Sequence, residues 1–270
     1  MRFDVLTLFP ELFAPYTQQG VIRRAFEARG GRPPALDLKL WALRDFAEDA
    51  YRRVDDRPYG GGPGMVMLVE PLTRALRSVR AEQAEAGLPR TPLILFSPAG
   101  RPLSQDRVRA LAASPGAVLL CGRYEGVDQR FIDAHVDEEL SLGDFVLSGG
   151  ELPALTLIDA VARLQPGVLH DAASHEQDSF AADHGLLDCP HYSRPERLPE
   201  DGAAVPPVLL SGHHAAIARW RRERQLALTA ARRPDLIAAA RAAGRLDARD
   251  EALLRRLAES PPQDTASGAG

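Results

Sequence analysis

Residues 117–128, AVLLCGRYEGVD, carry the pattern that decides the fold. The run 117–121 is short and apolar at every position, which is typical of a strand covered on both faces of its sheet. Two more runs, 3–8 (FDVLTL) and 92–96 (PLILF), are short and nearly continuously apolar. Segments with helical periodicity separate the three runs. This alternation predicts an α/β domain with a largely parallel sheet.

Helical periodicity divides the chain into two parts. In the first part it predicts helices near 18–29, 70–85, 104–113 and 153–164. Residues 165–180 lose this periodicity, as a linker or a mobile loop would. Beyond them, helices are predicted at 213–233, 235–242 and 248–258. We therefore expect a sheet domain at 1–168, an interdomain linker at 169–182 and a small helical domain at 183–258. Residues 259–270 form a tail that has too few apolar residues to order.

The overall composition excludes several classes of protein. With 45% hydrophobic and 26% charged residues, the chain is typical of a soluble globular protein. The first residues, MRFDVLTLFP, lack a signal-peptide cleavage site, so we expect a first strand and a cytoplasmic protein. Cys121 and Cys189 are too few and too far apart to suggest a disulfide framework, and free thiols are expected. The net charge of −4 means that any contact with RNA must come from a local patch.

Three glycine-bearing turns follow strand-like runs directly. They lie at 97–100 (SPAG), 122–126 (GRYEG) and 143–150 (GDFVLSGG). In an open α/β sheet such turns gather at the carboxyl ends of the strands, where ligands bind. The chain has no GxxxxGK[ST] motif, and no GxGxxG follows its first strand. A nucleotide-like ligand held through its base and sugar is therefore favoured over one held by its phosphates.

A fourth glycine-rich segment, 55–65 (DDRPYGGGPGM), begins with charged residues and contains four glycines. It is either a flexible loop or a lid that orders when substrate binds.

Several strings occur in the order seen in the bacterial tRNA (guanine-N1)-methyltransferases: VDDRPYGGGPGM, LLCGRYEGVD, LGDFVLSGGELPALTLID, DSF, GLLDCPHYSRP and VPPVLLSGHH. From about residue 1 to 240 the sequence resembles this family, the TrmD family of the SPOUT superfamily. The resemblance implies a deep trefoil knot, although general topology rules argue against knots. It also implies a homodimer with each active site at the subunit interface, and a small C-terminal domain that binds tRNA.

The implied reaction is methyl transfer from S-adenosyl-L-methionine to N1 of guanosine 37, 3′ of the anticodon. Because N1 carries a proton, the reaction requires a general base. As the proton leaves, negative charge spreads to O6, and a cationic donor near O6 lowers the barrier. The resemblance makes Asp178, in the 169–182 segment, the base and Arg163 the partner of O6. It places Glu125 near the guanine, and it leaves a requirement for Mg²⁺ open.

The resemblance also implies which residues bind the cofactor, mostly through their backbone. All of them belong to the three glycine turns or their immediate neighbours: Phe96, Ser97, Pro98, Gly122, Arg123, Tyr124, Gly126, Leu142, Gly143, Phe145, Val146, Leu147, Gly149, Gly150 and Pro153.

The segment 217–233 contains six arginines and one acid, Glu223. Such a cluster can follow the phosphates of RNA, and a solvated helix face is an equally weighted alternative. The predicted RNA-binding residues are Arg219, Arg221, Arg222 and Arg224.

Three other functions stay open at this point. A metal hydrolase would use residues from the group His170, His175, His184, Cys189 and His191, but zinc ligands usually have tighter pair spacing, so no metal site is expected. A SPOUT relative acting on a ribose 2′-OH would leave Asp178 without its role. A catalytically silent RNA-binding protein would have no use for Glu125, Arg163 and Asp178 together.

Overall fold

The computed structural model describes residues 1–169, 177–181, 183–200 and 202–259. The chain divides into two compact units, Met1–Ala172 and Ala173–Gly270. Residues 170–176 of the loop predicted at 165–180 lie outside the described residues, and they include His170 and His175.

The first unit is built on five parallel strands. These are β1 (Arg2–Thr7), β2 (Asp37–Ala42), β5 (Leu93–Pro102), β6 (Gly116–Leu120) and β7 (Glu138–Ser141). Their order across the sheet is β2-β1-β6-β5-β7. Two short strands, β3 (Asp55–Asp56) and β4 (Val66–Met67), form a separate antiparallel pair. The predicted α/β architecture with a parallel sheet is confirmed.

Helices cover both faces of this sheet. They are α1 (Ala14–Thr17), α2 (Arg23–Phe26), α3 (Val69–Glu85), α4 (Gln105–Ala112), α5 (Gln129–His135) and α6 (Glu151–Ala162). The prediction of one helix near 18–29 was wrong. One short helix, α2, lies in that range, while α1 ends just before it at Thr17, and Gly20, whose φ of 62° is left-handed, interrupts the helical backbone between the two.

The side chains of the central strands alternate between two cores. In β6, Ala117 and Leu119 join the core beneath α4 and α6, whereas Val118 and Leu120 join the core beneath α3 and α5. The strand is therefore buried on both faces, which explains its continuous apolar sequence.

An ionic cluster ties α3 to the sheet near the amino ends of β1 and β2. The guanidinium of Arg2 contacts Asp4 at 2.7 Å and Glu82 of α3 at 2.8 Å. Lys39 of β2 also hydrogen-bonds to Glu82. Hydrogen bonds from Lys39 and Arg2 lower the pKa of the Glu82 carboxyl. Asp4 is fully buried and accepts further hydrogen bonds, from Trp41 and Gln83 at 2.9 Å each.

The second unit is helical in its described part, with α7 (Pro207–Leu210), α8 (His214–Arg232), α9 (Pro234–Ala242) and α10 (Ala248–Glu259). The last three match the helices predicted from periodicity. They pack around a small core of Leu186, Leu226, Ile237, Ala240 and Leu254. In the parts of both units that the structure describes, no helix combines the length and the apolar character needed to span a membrane.

Candidate active site

One cavity is surrounded by the irregular segment 97–100 within β5, where the sequence predicted a turn after the strand, and by the turns after β6 and β7. Its volume is about 460 Å³, which lies within the range of small-molecule sites. All fifteen residues predicted to bind the cofactor line this cavity, and Glu125 lines it too. The structure therefore brings the three glycine turns together around a ligand-sized space.

Backbone contacts hold two of these turns together. The N–H of Gly150 donates to the carbonyl of Gly122 at 2.9 Å, and Arg123 forms an isolated antiparallel bridge with Gly149. A Cβ atom at Gly150 would lie 2.6 Å from the Cα of Cys121. Because only glycine permits this approach, the GG pair is required for the two turns to meet.

A buried ion pair lies behind the cavity wall. Arg123 donates from Nε to Glu151 Oε2 at 2.9 Å, and the hydroxyl of Thr7 donates to Glu151 Oε1 at 2.8 Å. The guanidinium also stands over the ring of Phe9, 4.5 Å from its centroid. The carboxylate of Glu151 is almost completely buried. These contacts link the end of β1 and the start of α6 to the turn after β6.

Sequence reasoning did not single out Glu151. An acid in the first turn of a helix usually complements the helix dipole, so local sequence gives it no special role. Its two partners, Thr7 and Arg123, lie 144 and 28 residues away. The only usable signal was that Glu151 directly follows the glycine pair.

The fourth glycine segment packs against the turn after β6. The N–H of Glu125 donates to the carbonyl of Met65 at 2.9 Å, and the N–H of Met67 donates to that of Gly126 at 2.9 Å. A Cβ atom at Gly64 would lie 2.3 Å from the Glu125 carboxylate. The segment therefore fixes the backbone at Glu125, while the Glu125 side chain is exposed to solvent.

Tyr124 adopts a left-handed backbone, with φ of 61°. For a residue other than glycine this costs on the order of 1 kcal/mol, so the surrounding contacts must enforce it. Desolvation, together with a hydrogen bond to Asp55, raises the pKa of the Tyr124 phenol. The contact joins this turn to strand β3.

Of the other two predicted catalytic residues, Arg163 does not line the cavity. Arg163 follows α6 and is exposed. It lies ten residues beyond Pro153, which corresponds to about 15 Å along the helix axis. Asp178 belongs to the second unit and is half-buried. Its carbonyl accepts a hydrogen bond from the N–H of Ala181 at 3.2 Å.

Both cysteines are free, as predicted, and both are buried. Burial, reinforced by the charge of Glu151, raises the pKa of the Cys121 thiol well above its ordinary value. Cys121 is therefore a neutral thiol beside the cavity wall, unsuited to act as a nucleophile.

One group of described residues has the composition of a metal site. Ligand atoms of Asp188, Cys189 and His191 lie within 4.8 Å of one another. Asp188 is hydrogen-bonded to His191 Nε2 at 2.8 Å and to the N–H of Cys189 at 2.6 Å. Burial and the charge of Asp188 raise the pKa of the Cys189 thiol.

The predicted RNA-binding arginines have different surroundings on α8. Arg219, Arg221 and Arg224 are exposed. Arg222 instead forms an ion pair with Asp250 of α10 at 2.6 Å and donates to the carbonyl of Arg245 at 3.3 Å. Arg222 therefore joins α8 to α10.

Arg222→Ala should lower the free energy of unfolding of the second unit by about 2–3 kcal/mol. The loss leaves the Asp250 carboxylate, only 9% exposed, without its cation. The expected cost is smaller than for a fully buried pair because Arg222 is partly exposed. Arg221→Ala, on the next residue, should change stability by less than about 0.5 kcal/mol. Urea unfolding of both variants measures the difference, and equal midpoints would contradict it.

A parallel α/β sheet whose glycine turns enclose such a cavity defines a protein of the nucleotide- or cofactor-binding class. A family profile described as tRNA (guanine-1)-methyltransferase TrmD matches residues 1–239. The chain belongs to this family, and the resemblance seen in its motifs is confirmed.

Relatives from other bacteria resemble the chain over nearly its whole length. A tRNA (guanine-N(1)-)-methyltransferase of Methylibium petroleiphilum is 74% identical over 95% of this chain and 98% of the relative. The proteins of the same name from Leptothrix cholodnii and Paracidovorax citrulli are 72% and 65% identical, each over 95% of this chain and covering 99% and 98% of the relative.

Proposed function

We propose that this chain transfers the methyl group of S-adenosyl-L-methionine to N1 of guanosine 37 in tRNA, 3′ of the anticodon. The observation that carries the proposal is the single cavity lined by all fifteen expected cofactor residues. It occurs in a chain whose relatives are named tRNA (guanine-N(1)-)-methyltransferases.

The cavity suits a cofactor held mainly through backbone groups and apolar contacts. Three turns supply the backbone, and Leu142, Phe145 and Leu147 supply apolar surface. When bound, S-adenosylmethionine supplies an electrophilic methyl group. The Arg123–Glu151 pair fixes the turn after β6, so that the backbone of 122–126 is preorganised for binding.

Catalysis then depends on charged side chains placed around the guanine. Asp178 accepts the proton that leaves N1, as a general base. The guanidinium of Arg163 stabilises the negative charge that develops on O6. Glu125, which lines the cavity, lies near the base, at the boundary between cofactor and substrate.

The active site is shared between two subunits of a homodimer. Because Arg163 lies about 15 Å along α6 from Pro153, it does not serve the cavity of its own chain. Apolar side chains at and beside the cavity are also strongly exposed: Phe145 by 55%, Val146 by 86% and Leu152 by 58%. Exposed apolar patches of this kind mark interaction surfaces, and a two-fold partner would cover this one.

Mixing two inactive variants should restore activity if the site is shared. One variant carries Asp178→Asn, and the other carries Gly150→Ala, which disrupts the cavity through the clash with Cys121. Random pairing makes half of the dimers mixed, and each mixed dimer has one intact site, so about a quarter of wild-type activity is expected. The measurement is methyl transfer after subunit exchange. Confirmed mixed dimers with no activity would count against a shared site.

The proposal includes the deep trefoil knot. Segment 142–150 leaves β7 and reaches the turn after β6, although β5 stands between these two strands. β5 continues to Pro102 and pairs with β7 on both sides of an irregularity, through Phe96 and again through Arg101. A chain that crosses the end of β5 in this way supports a knotted path.

The second unit acts as the tRNA-binding domain in this proposal, through residues 183–258. The exposed Arg219, Arg221 and Arg224 of α8 supply cations for RNA phosphates. Residues 260–270 lie outside the described part of the chain.

The decisive experiment is a methyl-transfer assay with tRNA that carries either G or A at position 37. Methylation of the G form alone is expected, with mass spectrometry of digested tRNA placing the methyl group on N1. Methylation of a ribose 2′-OH would overturn the proposed chemistry, and absence of any transfer would overturn the function.

A further inference from the structure

A second cavity lies within the second unit and has no part in the methyl transfer described above. Its volume is about 700 Å³, and it is lined by the segment 190–196 and by residues of α7 and α8. Leu209, Leu210 and Ile217 form an apolar wall. The cavity is large enough for a nucleotide-sized ligand.

Two aromatic rings form the most distinctive part of this cavity. The centroids of Tyr192 and Trp220 are 6.1 Å apart, and their planes are tilted by 58°. Tyr192 is 48% exposed, so a large part of its ring is accessible. The guanidinium of Arg224 lies 5.6 Å from the Trp220 ring. Exposed aromatic faces with nearby arginines are the groups on which proteins stack unpaired bases.

The charges around the rings favour an anion. Arg194 and Arg221 line the cavity, against one acid, Glu196. The exposed Arg219 and Arg224 add positive charge on the same helix. In a chain whose net charge is −4, this local excess of cations is suited to an anionic group such as a phosphate rather than to a cationic or neutral partner.

We propose that this Tyr192–Trp220 cavity binds one unpaired nucleotide of the substrate tRNA, with its base stacked on Tyr192 and its phosphate held by Arg221. The inference rests on the proposed function, which supplies tRNA as the substrate. Stacking tolerates any base, since every base has a π-face. The cavity therefore anchors the RNA without reading its sequence.

The test compares tRNA binding by the full-length chain and two variants at one position. Tyr192→Leu keeps an apolar side chain but removes the ring, and it should weaken binding about 5- to 100-fold. Tyr192→Phe keeps the ring and should bind within about twofold of wild type. Since stacking is not ionic, the slope of log affinity against log salt should be the same for Tyr192→Leu and wild type.

A charge variant provides the second arm. Arg221→Ala should flatten the salt slope by about one unit, as expected for one lost phosphate contact. Arg232→Ala is its control, because it removes the same charge about 16 Å further along α8, outside the cavity lining. An equal effect of the two arginine variants would refute a specific phosphate contact.

Methylation of tRNA by the wild-type chain is measured alongside, so that the two proposals can fail separately. Absence of tRNA methylation by the wild-type chain would overturn the proposed function. A wild type that methylates tRNA, together with equal tRNA affinities of Tyr192→Leu and Tyr192→Phe, would overturn the nucleotide site alone.

Discussion

Asp178→Asn should slow single-turnover methyl transfer by about 10²- to 10⁴-fold, the usual contribution of a general base. The amide keeps the size of the side chain but cannot accept the N1 proton. Binding of S-adenosylmethionine should stay unchanged, since the residues that line the proposed cofactor cavity all belong to the first unit and Asp178 belongs to the second. Rapid-quench kinetics with saturating tRNA and cofactor measures the chemical step directly.

Asp183→Asn is a matched control for this experiment. It removes the same carboxylate five residues further on, from a side chain that is largely exposed. We expect its rate to be close to that of wild type. Near-normal turnover in Asp178→Asn would remove this residue from the role of base, and equal losses in both variants would indicate a general effect of charge in this segment.

Glu151→Ala should lower the free energy of unfolding of the first unit by about 3–5 kcal/mol. The substitution leaves the Arg123 guanidinium without its buried counter-charge and the Thr7 hydroxyl without its acceptor. For a unit of this size, the midpoint of thermal unfolding should fall by about 10 °C. Cofactor affinity should fall as well, because the turn at 122–126 loses its support.

The double substitution Arg123→Leu with Glu151→Leu separates the ion pair from the packing around it. Replacing both partners of a buried pair by apolar residues is often close to neutral, so the double variant should be more stable than Glu151→Ala alone. The single substitutions Arg123→Leu and Glu151→Leu complete a double-mutant cycle with it. Additive losses in that cycle would show that Arg123 and Glu151 do not act as a pair.

Local sequence patterns predicted β5 and β6 but not β2 and β7. The central strands are apolar on both faces, whereas β2 (DLKLWA) and β7 (EELS) carry charges. Those charged side chains meet partners of opposite charge only when the chain is folded. Lys39 pairs with Glu82, 43 residues away, and Glu138 pairs with Arg107, 31 residues away. The charged side chains of these edge strands pair with residues far away in the sequence. The periodicity of a short segment does not reveal such partners.

The candidate site likewise combines features that local sequence predicts with contacts that only the fold creates. Its glycine turns are local signals, and family resemblance supplied their expected ligand. The contacts that hold the turns in place are long-range, such as the pair of Arg123 and Glu151. Arg222 shows the converse limit. The sequence predicted that Arg222 binds RNA together with the other arginines of α8. Its contact with Asp250 depends on how α8 packs against α10.

Lys39, described above as a partner of Glu82, is the only lysine of the chain. Amine-reactive dyes and cross-linkers therefore have a single side-chain target. That target lies opposite Asp4 in the pairing of β1 with β2, whereas the cavity lies at the irregular segment of β5 and the turns after β6 and β7. Coupling through Lys39 would attach this unit to a sensor surface in one orientation, without modifying any residue that lines the cavity.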